Sequence, residues 1–281
     1  HARRALQRPE ADPLMKILQA ALVAAALSAA AVPASAQDSS VRAISQHLSA
    51  EQAAALSKQV ERDLAAKGAR VAMVFRAGRM RDQLPEGIAY THGAFWVYRD
   101  IKTADGGTIK GYAVYNLYAG NGTDWSKIES RLVQDFPLDF TRGSTVDDMA
   151  VIIPSPEMQR RILAVIDSPT YQKVHNPAYS LVANPWARKY QNCNNFMLNV
   201  IGAAIWQTDD PQRITANLKA HYEPTVVKTN AVVRLFGPIA DQRLRTDDQD
   251  GTVRTATYES MAEFMRENNL LQEAYVFNFQ R

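Results

Sequence analysis

Two segments rich in aromatic and β-branched residues, 92–101 and 109–118, are separated by the turn sequence Asp105-Gly106-Gly107. Such residues favour extended strands, and an Asp-Gly pair between them is typical of the tight turn in a β-hairpin. Strands joined by so short a turn pair antiparallel, because a parallel pair needs a long crossover connection. The sequence therefore predicts an antiparallel sheet that contains this hairpin.

The rest of the chain mixes helical and extended patterns. Ser49 to Gln52 has capping-box spacing before a helix predicted over 50–67, and Pro156 and Pro211 open two further helices. Helices are also predicted over 124–134, 192–206 and 257–269, and strands over 70–75, 225–236, 251–256 and 274–279. This mixed order indicates an α+β fold class, an antiparallel sheet with packed helices.

The helix predicted over 192–206 is apolar almost all the way round. A helix of that kind has no face suited to water and is normally buried in the middle of a fold. The sequence therefore places this helix at the centre of the protein.

The N-terminal part carries the pattern of a secretory signal peptide. Lys16 precedes an uncharged apolar run, 17–32, which is followed by the small residues Ala34-Ser35-Ala36. The run is shorter than the roughly 20 residues that span a bilayer, and the small-x-small pattern suits signal peptidase. We expect cleavage of a signal peptide over 15–36 after Ala36, and export to the periplasm or medium. Residues 1–14 are interpreted as an upstream stretch or expression remnant, and 37–281 as one α+β domain.

The composition limits the partners of the mature chain. Removal of the first 36 residues leaves 245, with a net charge of about +1 before histidine. A clustered basic face is the usual mark of nucleic-acid binding, and a net charge this close to zero does not indicate such a face. We therefore expect no nucleic acid as partner. We also expect no transmembrane span in the mature chain, no cofactor and no metal. The segment 246–257 resembles a calcium loop but has threonine at its first and twelfth positions, where acidic ligands are required.

The single cysteine of the chain, Cys193, is predicted in the first turn of the buried helix. A helix N-terminus lowers the pKa of a thiol, and a thiolate is the nucleophile in cysteine chemistry. First-turn amides and nearby polar side chains could stabilise an oxyanion or bind substrate. The candidates for this role are Tyr190, Gln191, Asn192 and Asn194. The alternative is that Cys193 is a small buried packing residue, as many free cysteines are.

Five histidines are available as a general base. His92 opens the first strand of the hairpin beside the small residues Gly93 and Ala94, and we prefer it as the catalytic base. The alternative is a histidine satisfied within the core or at a sheet edge. His175 and His221 are expected to cap or end helices, and His221 is the reserve because it follows the cysteine. His1 and His47 lie outside the predicted core.

An asparagine is expected to orient the histidine. If the hairpin turn is centred near Gly106, His92 faces residues 119–121, which makes Asn121 a candidate. Asn116 would face 95–97 and would need a bulge to reach His92. Either asparagine could instead be a turn or surface residue.

The order of His92 at a strand start and Asn192-Cys193-Asn194-Asn195-Phe196 on a helix resembles the circularly permuted NlpC-type branch of papain-like thiol hydrolases. Lecithin–retinol acyltransferase members of that branch carry a comparable Asn-Cys-x-x-Phe segment. The resemblance implies a permuted papain-like fold, with Cys193 as nucleophile and His92 as base. The third catalytic position of that branch is often histidine, and no histidine occurs near 112–121.

A second resemblance covers most of 68–270. The segments 91–95, 179–185 and 190–192 are similar to those of an exported bacterial family of domains of unknown function. This resemblance implies an exported protein and brings no established activity.

Two functions follow from these patterns. The first is an exported thiol-dependent hydrolase or acyl/amide transferase that acts on a cell-envelope substrate, such as a peptidoglycan peptide or an acyl group. The second is a non-catalytic periplasmic binding or envelope-assembly protein, in which Cys193 is a packing residue.

Overall fold

The computed structural model of the protein describes residues 45–103, 105–120, 129–228 and 243–281. The signal peptide predicted over 15–36, the upstream stretch 1–14 and the candidate Asn121 lie outside these residues. Among the described residues, no helix is both long and apolar enough to cross a membrane.

Eight strands occur in the described residues. They are β1 Val71–Arg76, β2 His92–Lys102, β3 Thr108–Ala119, β4 Ser130–Asp135, β5 Asp148–Pro154, β6 Thr225–Val227, β7 Val253–Thr255 and β8 Leu271–Asn278. Six of them form an open sheet in the order β4-β3-β2-β1-β5-β8, and β6 pairs with β7 in a separate small sheet. Every pair is antiparallel. The predicted α+β class and the predicted β2–β3 hairpin are confirmed.

Seven α-helices lie in the same residues. They are α1 Ala50–Ala66, α2 Pro137–Thr141, α3 Pro156–Ile166, α4 Thr170–Lys173, α5 Cys193–Trp206, α6 Pro211–His221 and α7 Tyr258–Glu267. The local signals that begin these helices act as expected. The Ser49 and Ser155 hydroxyls cap α1 and α3, and the Asp210 carboxylate caps α6.

The sheet has two covered faces, because successive residues of a strand point to opposite sides. Val71 of β1 and Phe95 of β2 pack in one core with Phe196 of α5; we call this side the α5 face. Val74 and Trp96, of opposite parity, pack in a second core with residues of α1 and α2; this side is the α1 face. Both faces of β1 and β2 are therefore buried, and α5 is a central helix as predicted.

Some sequence expectations for the middle of the chain are wrong. A helix was expected over 124–134, but 130–135 forms the strand β4, which pairs with β3 at the sheet edge. The segment Ser-Arg-Leu-Val-Gln-Asp lacks strong preference for either state, and pairing with an exposed neighbouring strand decides its conformation. The strand β5 and the short helix α2 were not predicted. Of the strand expected over 225–236, only 225–227 is extended among the described residues.

Candidate functional site

Cys193 is the first residue of α5, and Asn192 caps the helix start. The Asn192 Oδ1 accepts a hydrogen bond from the main-chain N–H of Asn195 at 2.9 Å. Other first-turn N–H groups of a helix have no acceptor within the helix, and the helix dipole adds positive potential there. The predicted position of Cys193 at the start of a buried helix is confirmed.

A cavity of about 50 Å³ lies against Cys193. Its walls include the apolar side chains of Ile88, Leu181 and Val227, and Thr255 lines it from β7. One water molecule needs roughly 10–15 Å³ of such volume. The cavity therefore has room for a few water molecules or for a short aliphatic group.

The amide side chains beside Cys193 are bound to main-chain carbonyls. Asn192 Nδ2 donates to the carbonyl oxygen of Leu181 at 3.0 Å, and Asn194 Nδ2 donates to that of Ala256 at 3.1 Å. Leu181 and Ala256 both line the cavity. These two asparagines therefore hold the cavity walls against the start of α5.

Gln191 and Tyr190 lie against a different part of the protein. Gln191 Nε2 donates to the carbonyl oxygen of Val174 at 3.0 Å, and both residues line a separate cavity with His175. The ring of Tyr190 lies 4.3 Å from the guanidinium carbon of Arg245. The structure thus separates Gln191 and Tyr190 from the cavity at Cys193, although they precede it directly in sequence.

The thiol of Cys193 faces oxygen atoms that accept hydrogen bonds. Its Sγ lies 4.0 Å from the carbonyl oxygen of Thr91 and 3.8 Å from Asn194 Oδ1. Cys193 is 2% exposed. The thiol of Cys193 is therefore a buried donor with two acceptor oxygens near it.

His92 lies on the α1 face and is fully buried. Its ring stacks on Tyr118 with 5.4 Å between ring centroids and on Phe140 of α2 with 5.6 Å. The next residue, Gly93, points to the other side, where an added Cβ would meet Met197 of α5 at 2.4 Å. His92 and α5 are therefore on opposite sides of β2.

The structure places the predicted pair, His92 and Cys193, on different faces of the sheet. Cys193 belongs to the core of the α5 face, whereas His92 stacks on Phe140 of the α1 face. His92 is absent from the lining of the cavity at Cys193. A general base must come within hydrogen-bond reach of the group it deprotonates. In this structure the sheet lies between the two side chains.

His92 does pair with a predicted asparagine. Its Nε2 lies 2.8 Å from Asn116 Oδ1, and Asn116 is also buried. The hairpin register aligns Phe95 with Tyr115, so Asn116 lies on the same face of β3 as the residues of even number on β2. The bulge expected for this contact is not needed, because the side chains meet diagonally across the two strands.

The environment of His92 favours the neutral imidazole. Burial, and then the positive charge of Arg76, hold the pKa of His92 well below its usual range, while the hydrogen bond to Asn116 acts in the opposite direction. Arg76 pairs directly with His92 across β1 and β2. Because Asn116 Oδ1 can only accept, His92 Nε2 carries the proton and Nδ1 is the basic atom.

Arg76 was not identified from the sequence. Its Nη1 donates to the carbonyl oxygen of Phe140 at 2.7 Å, and its guanidinium carbon lies 5.1 Å from the centroid of the Phe140 ring. At Gly143 an added Cβ would lie 1.4 Å from Arg76 Nη1. The chain after α2 therefore needs glycine at this position to pass the buried guanidinium.

The remaining histidines are placed as follows. His175 Nε2 lies 3.0 Å from Ser130 Oγ and ties β4 to the segment after α4. Burial lowers its pKa. His221 ends α6 as expected, and its ring lies near Trp206 rather than near Cys193. His47 is exposed and lies 2.9 Å from Asp147.

Fold and sites together define an α+β protein with a buried helix-start cysteine on one face of its sheet and a buried histidine–asparagine pair on the other. A family model described as an uncharacterized protein conserved in bacteria, DUF2145, matches residues 63–265. The chain belongs to this family, which confirms its resemblance to bacterial domains of unknown function. Comparison with curated proteins and with solved structures gives no match.

Proposed function

We propose that the mature chain is an exported, non-catalytic binding protein of the bacterial cell envelope. Its ligand inserts a short apolar group into the cavity at Cys193. The observation that carries this proposal is the cavity itself, which has apolar walls, a thiol on one side and amide side chains that are bound to main-chain carbonyls.

The surroundings of the thiol support binding over catalysis. The thiol proton of Cys193 points among the acceptor oxygens of Thr91 and Asn194, which lie 4.0 Å and 3.8 Å from Sγ. The histidine expected to remove that proton points to the opposite face of the sheet. A buried thiol behaves as a small, weakly polar surface.

The size of the cavity limits the ligand. About 50 Å³ admits the end of an aliphatic chain or a small side chain, and not a folded peptide or a sugar ring. An acyl group of a lipid or lipoprotein has an end of this kind. The export signal predicted before Gln37 would bring the protein to such ligands, and N-terminal sequencing of the periplasmic form tests it: the first residue should be Gln37.

Protection of the thiol tests the binding function. Methyl methanethiosulfonate transfers a small methylthio group to Cys193, and intact-mass measurements follow the reaction in the native protein. Butyrate, hexanoate and octanoate serve as aliphatic probes. We expect a saturable slowing of the reaction that increases with chain length until the chain end fills the cavity, since each buried methylene contributes about 0.8 kcal/mol.

A variant that fills the cavity provides the control. Ala256 lines the cavity and is small, so Ala256→Leu should remove the effect of the probes on the labelling rate. Ala65→Leu, at an exposed position of α1, should leave the effect unchanged. Equal labelling rates with and without every probe would contradict the binding proposal.

The second candidate is the thiol-dependent hydrolase or acyl/amide transferase implied by the NlpC-type resemblance. The position of Cys193 at the first residue of α5 favours it, because first-turn amides can stabilise an oxyanion. In the first step an S–C bond to the substrate carbonyl forms, the bond to the leaving group breaks, and the thiol proton passes to solvent or to the leaving group.

Incubation with 4-nitrophenyl butyrate distinguishes the two candidates. An enzyme would accumulate or turn over a butyryl thioester on Cys193, with stoichiometric or greater release of nitrophenolate that Cys193→Ala abolishes. A binding protein would release no more nitrophenolate than Cys193→Ala does. The binding function predicts the second result.

A further inference from the structure

A second cavity, a groove of about 630 Å³, lies between the end of α1 and the starts of β1, α3 and β8. This volume falls within the range of roughly 300–1,000 Å³ that is usual for small-molecule sites. None of the residues that line it lines the cavity at Cys193. The groove is therefore a separate candidate site.

The charged side chains that line the groove are all cationic. They are Lys67, Arg70 and Arg160, and among the described residues no carboxylate lines the groove with them. Lys67 Nζ lies 2.9 Å from Glu273, and Arg160 pairs with Glu157, but both carboxylates lie outside the lining. An anionic ligand in the groove can therefore contact three cationic side chains, and it would share Lys67 and Arg160 with their carboxylate partners.

Apolar side chains line the same groove. Leu163 of α3 and Leu271 of β8 are partly exposed there, together with Pro156 at the start of α3. Cationic groups beside exposed leucine side chains match a ligand that has one charged end and one apolar end. An inorganic anion alone would leave the leucines in contact with water.

The frame of the groove is fixed by hydrogen bonds. The buried Gln159 side chain accepts from the main-chain N–H of Arg70 at 2.8 Å and of Val71 at 3.1 Å, and donates to the carbonyl oxygen of Pro154 at 2.8 Å. These bonds join α3, β1 and β5. The backbone that carries Arg70 and Arg160 is therefore held in place before any ligand arrives, which lowers the entropic cost of binding.

We propose that this groove binds a small organic anion with an apolar portion. The negative group lies among Lys67, Arg70 and Arg160, and the apolar portion lies on Leu163 and Leu271. The proposal concerns a different surface from the cavity at Cys193, so either function can fail without the other.

The fluorescent probe 8-anilinonaphthalene-1-sulfonate has this chemistry and tests the site in the native mature protein. We expect a saturable rise in fluorescence that weakens as salt increases. Arg70→Gln and Arg160→Gln should each weaken binding about fivefold, as the loss of one partly exposed charge contact predicts. Arg161→Gln is the matched control: Arg161 is the next residue of α3, also pairs with Glu157, and does not line the groove.

Three further measurements complete the test. Circular dichroism and the urea midpoint should be the same for the parent and the three arginine variants, since these arginine side chains are partly or largely exposed. Leu163→Ser should also weaken binding, whereas inorganic phosphate should displace the probe only at far higher concentration. Equal affinity of the parent, Arg70→Gln, Arg160→Gln and Arg161→Gln would overturn the proposal, and so would absence of saturable binding.

Discussion

His92 Nε2 lies 2.8 Å from Asn116 Oδ1 on the face of the sheet that is turned away from Cys193. Both side chains are buried, and within the described chain His92 Nδ1 and Asn116 Nδ2 have no hydrogen-bond partner. The contact resembles a catalytic histidine–asparagine pair in geometry. The His92 ring is surrounded by Tyr118, Phe140 and Arg76, and this buried position keeps the imidazole neutral. A histidine that is kept neutral in the folded protein makes the free energy of unfolding depend on pH.

The first prediction concerns acid sensitivity. The folded-state pKa of His92 is depressed, so below about pH 6.5 the unfolded chain binds a proton that the folded chain does not. The contribution of His92 to the free energy of unfolding is therefore fully present above that pH. It is lost as the pH falls towards the folded-state pKa, at up to about 1.4 kcal/mol per pH unit. His92→Gln should reduce this slope, and urea unfolding between pH 7 and pH 5 measures it.

The control for this prediction is His221→Gln, which removes an exposed histidine at the end of α6. This variant should show the same slope of unfolding free energy against pH as the parent. An identical pH dependence for the parent and His92→Gln would show that His92 is not held neutral in the folded protein.

The second prediction concerns Asn116. Asn116→Ala leaves the Nε2–H of His92 buried without an acceptor, which costs roughly 1–3 kcal/mol of the free energy of unfolding beyond the lost packing. Asn278→Ala, at an exposed position of β8, should change stability by no more than about 0.5 kcal/mol. A double-mutant cycle with His92→Leu, which removes the donor, isolates the pair, and a coupling energy near zero would contradict the hydrogen bond.

The sequence predicted most elements that are determined by local signals. The capped helices α1, α3 and α6 and the β2–β3 hairpin begin within a residue or two of the expected positions, because caps and turns act on their neighbours in the chain. The strand β4 has no such signal. Its conformation depends on pairing with β3, which is a tertiary contact.

The relation between His92 and Cys193 could not be predicted from the pattern of β2. Residues of both parities in β2 are buried at its start, so alternation does not identify the face that contacts α5. Asn116 was a candidate, but the hairpin register was expected one to three residues away from the observed one. Arg76 and Gly143 were missed because their contact joins segments 67 residues apart, and neither belongs to a local motif.

The third prediction concerns Gly143. An added Cβ would lie 1.4 Å from Arg76 Nη1, so Gly143→Ala must displace the buried guanidinium from Phe140. We expect a loss of about 2–4 kcal/mol, in the range of other changes that disrupt a buried charge and its partners. Gly111→Ala is the matched control, since nothing lies within 4 Å of an added Cβ there. Equal urea midpoints for the two variants would contradict the placement of Arg76.

The fourth prediction separates the two roles of Asn192. Its Oδ1 caps α5, while its Nδ2 binds the carbonyl oxygen of Leu181 in the cavity wall. Asn192→Asp keeps an acceptor for the cap and places a second oxygen opposite that carbonyl, so the wall should loosen while the helix start is kept. Asn192→Ala removes both contacts and should cost about 1–2 kcal/mol more through the lost cap.

Labelling of Cys193 in the native protein distinguishes these effects from a general loss of stability. Both variants should react faster with methyl methanethiosulfonate than the parent, because Leu181 forms part of the cavity wall beside the thiol. Thr255→Val tests the neighbouring contact, since it removes the weaker 3.4 Å partner of Asn192 Nδ2 and keeps the shape of the side chain. It should change the labelling rate least of the three. If Asn192→Asp labels at the rate of the parent, the Asn192–Leu181 contact does not close the cavity, and access to the thiol is controlled elsewhere in the fold.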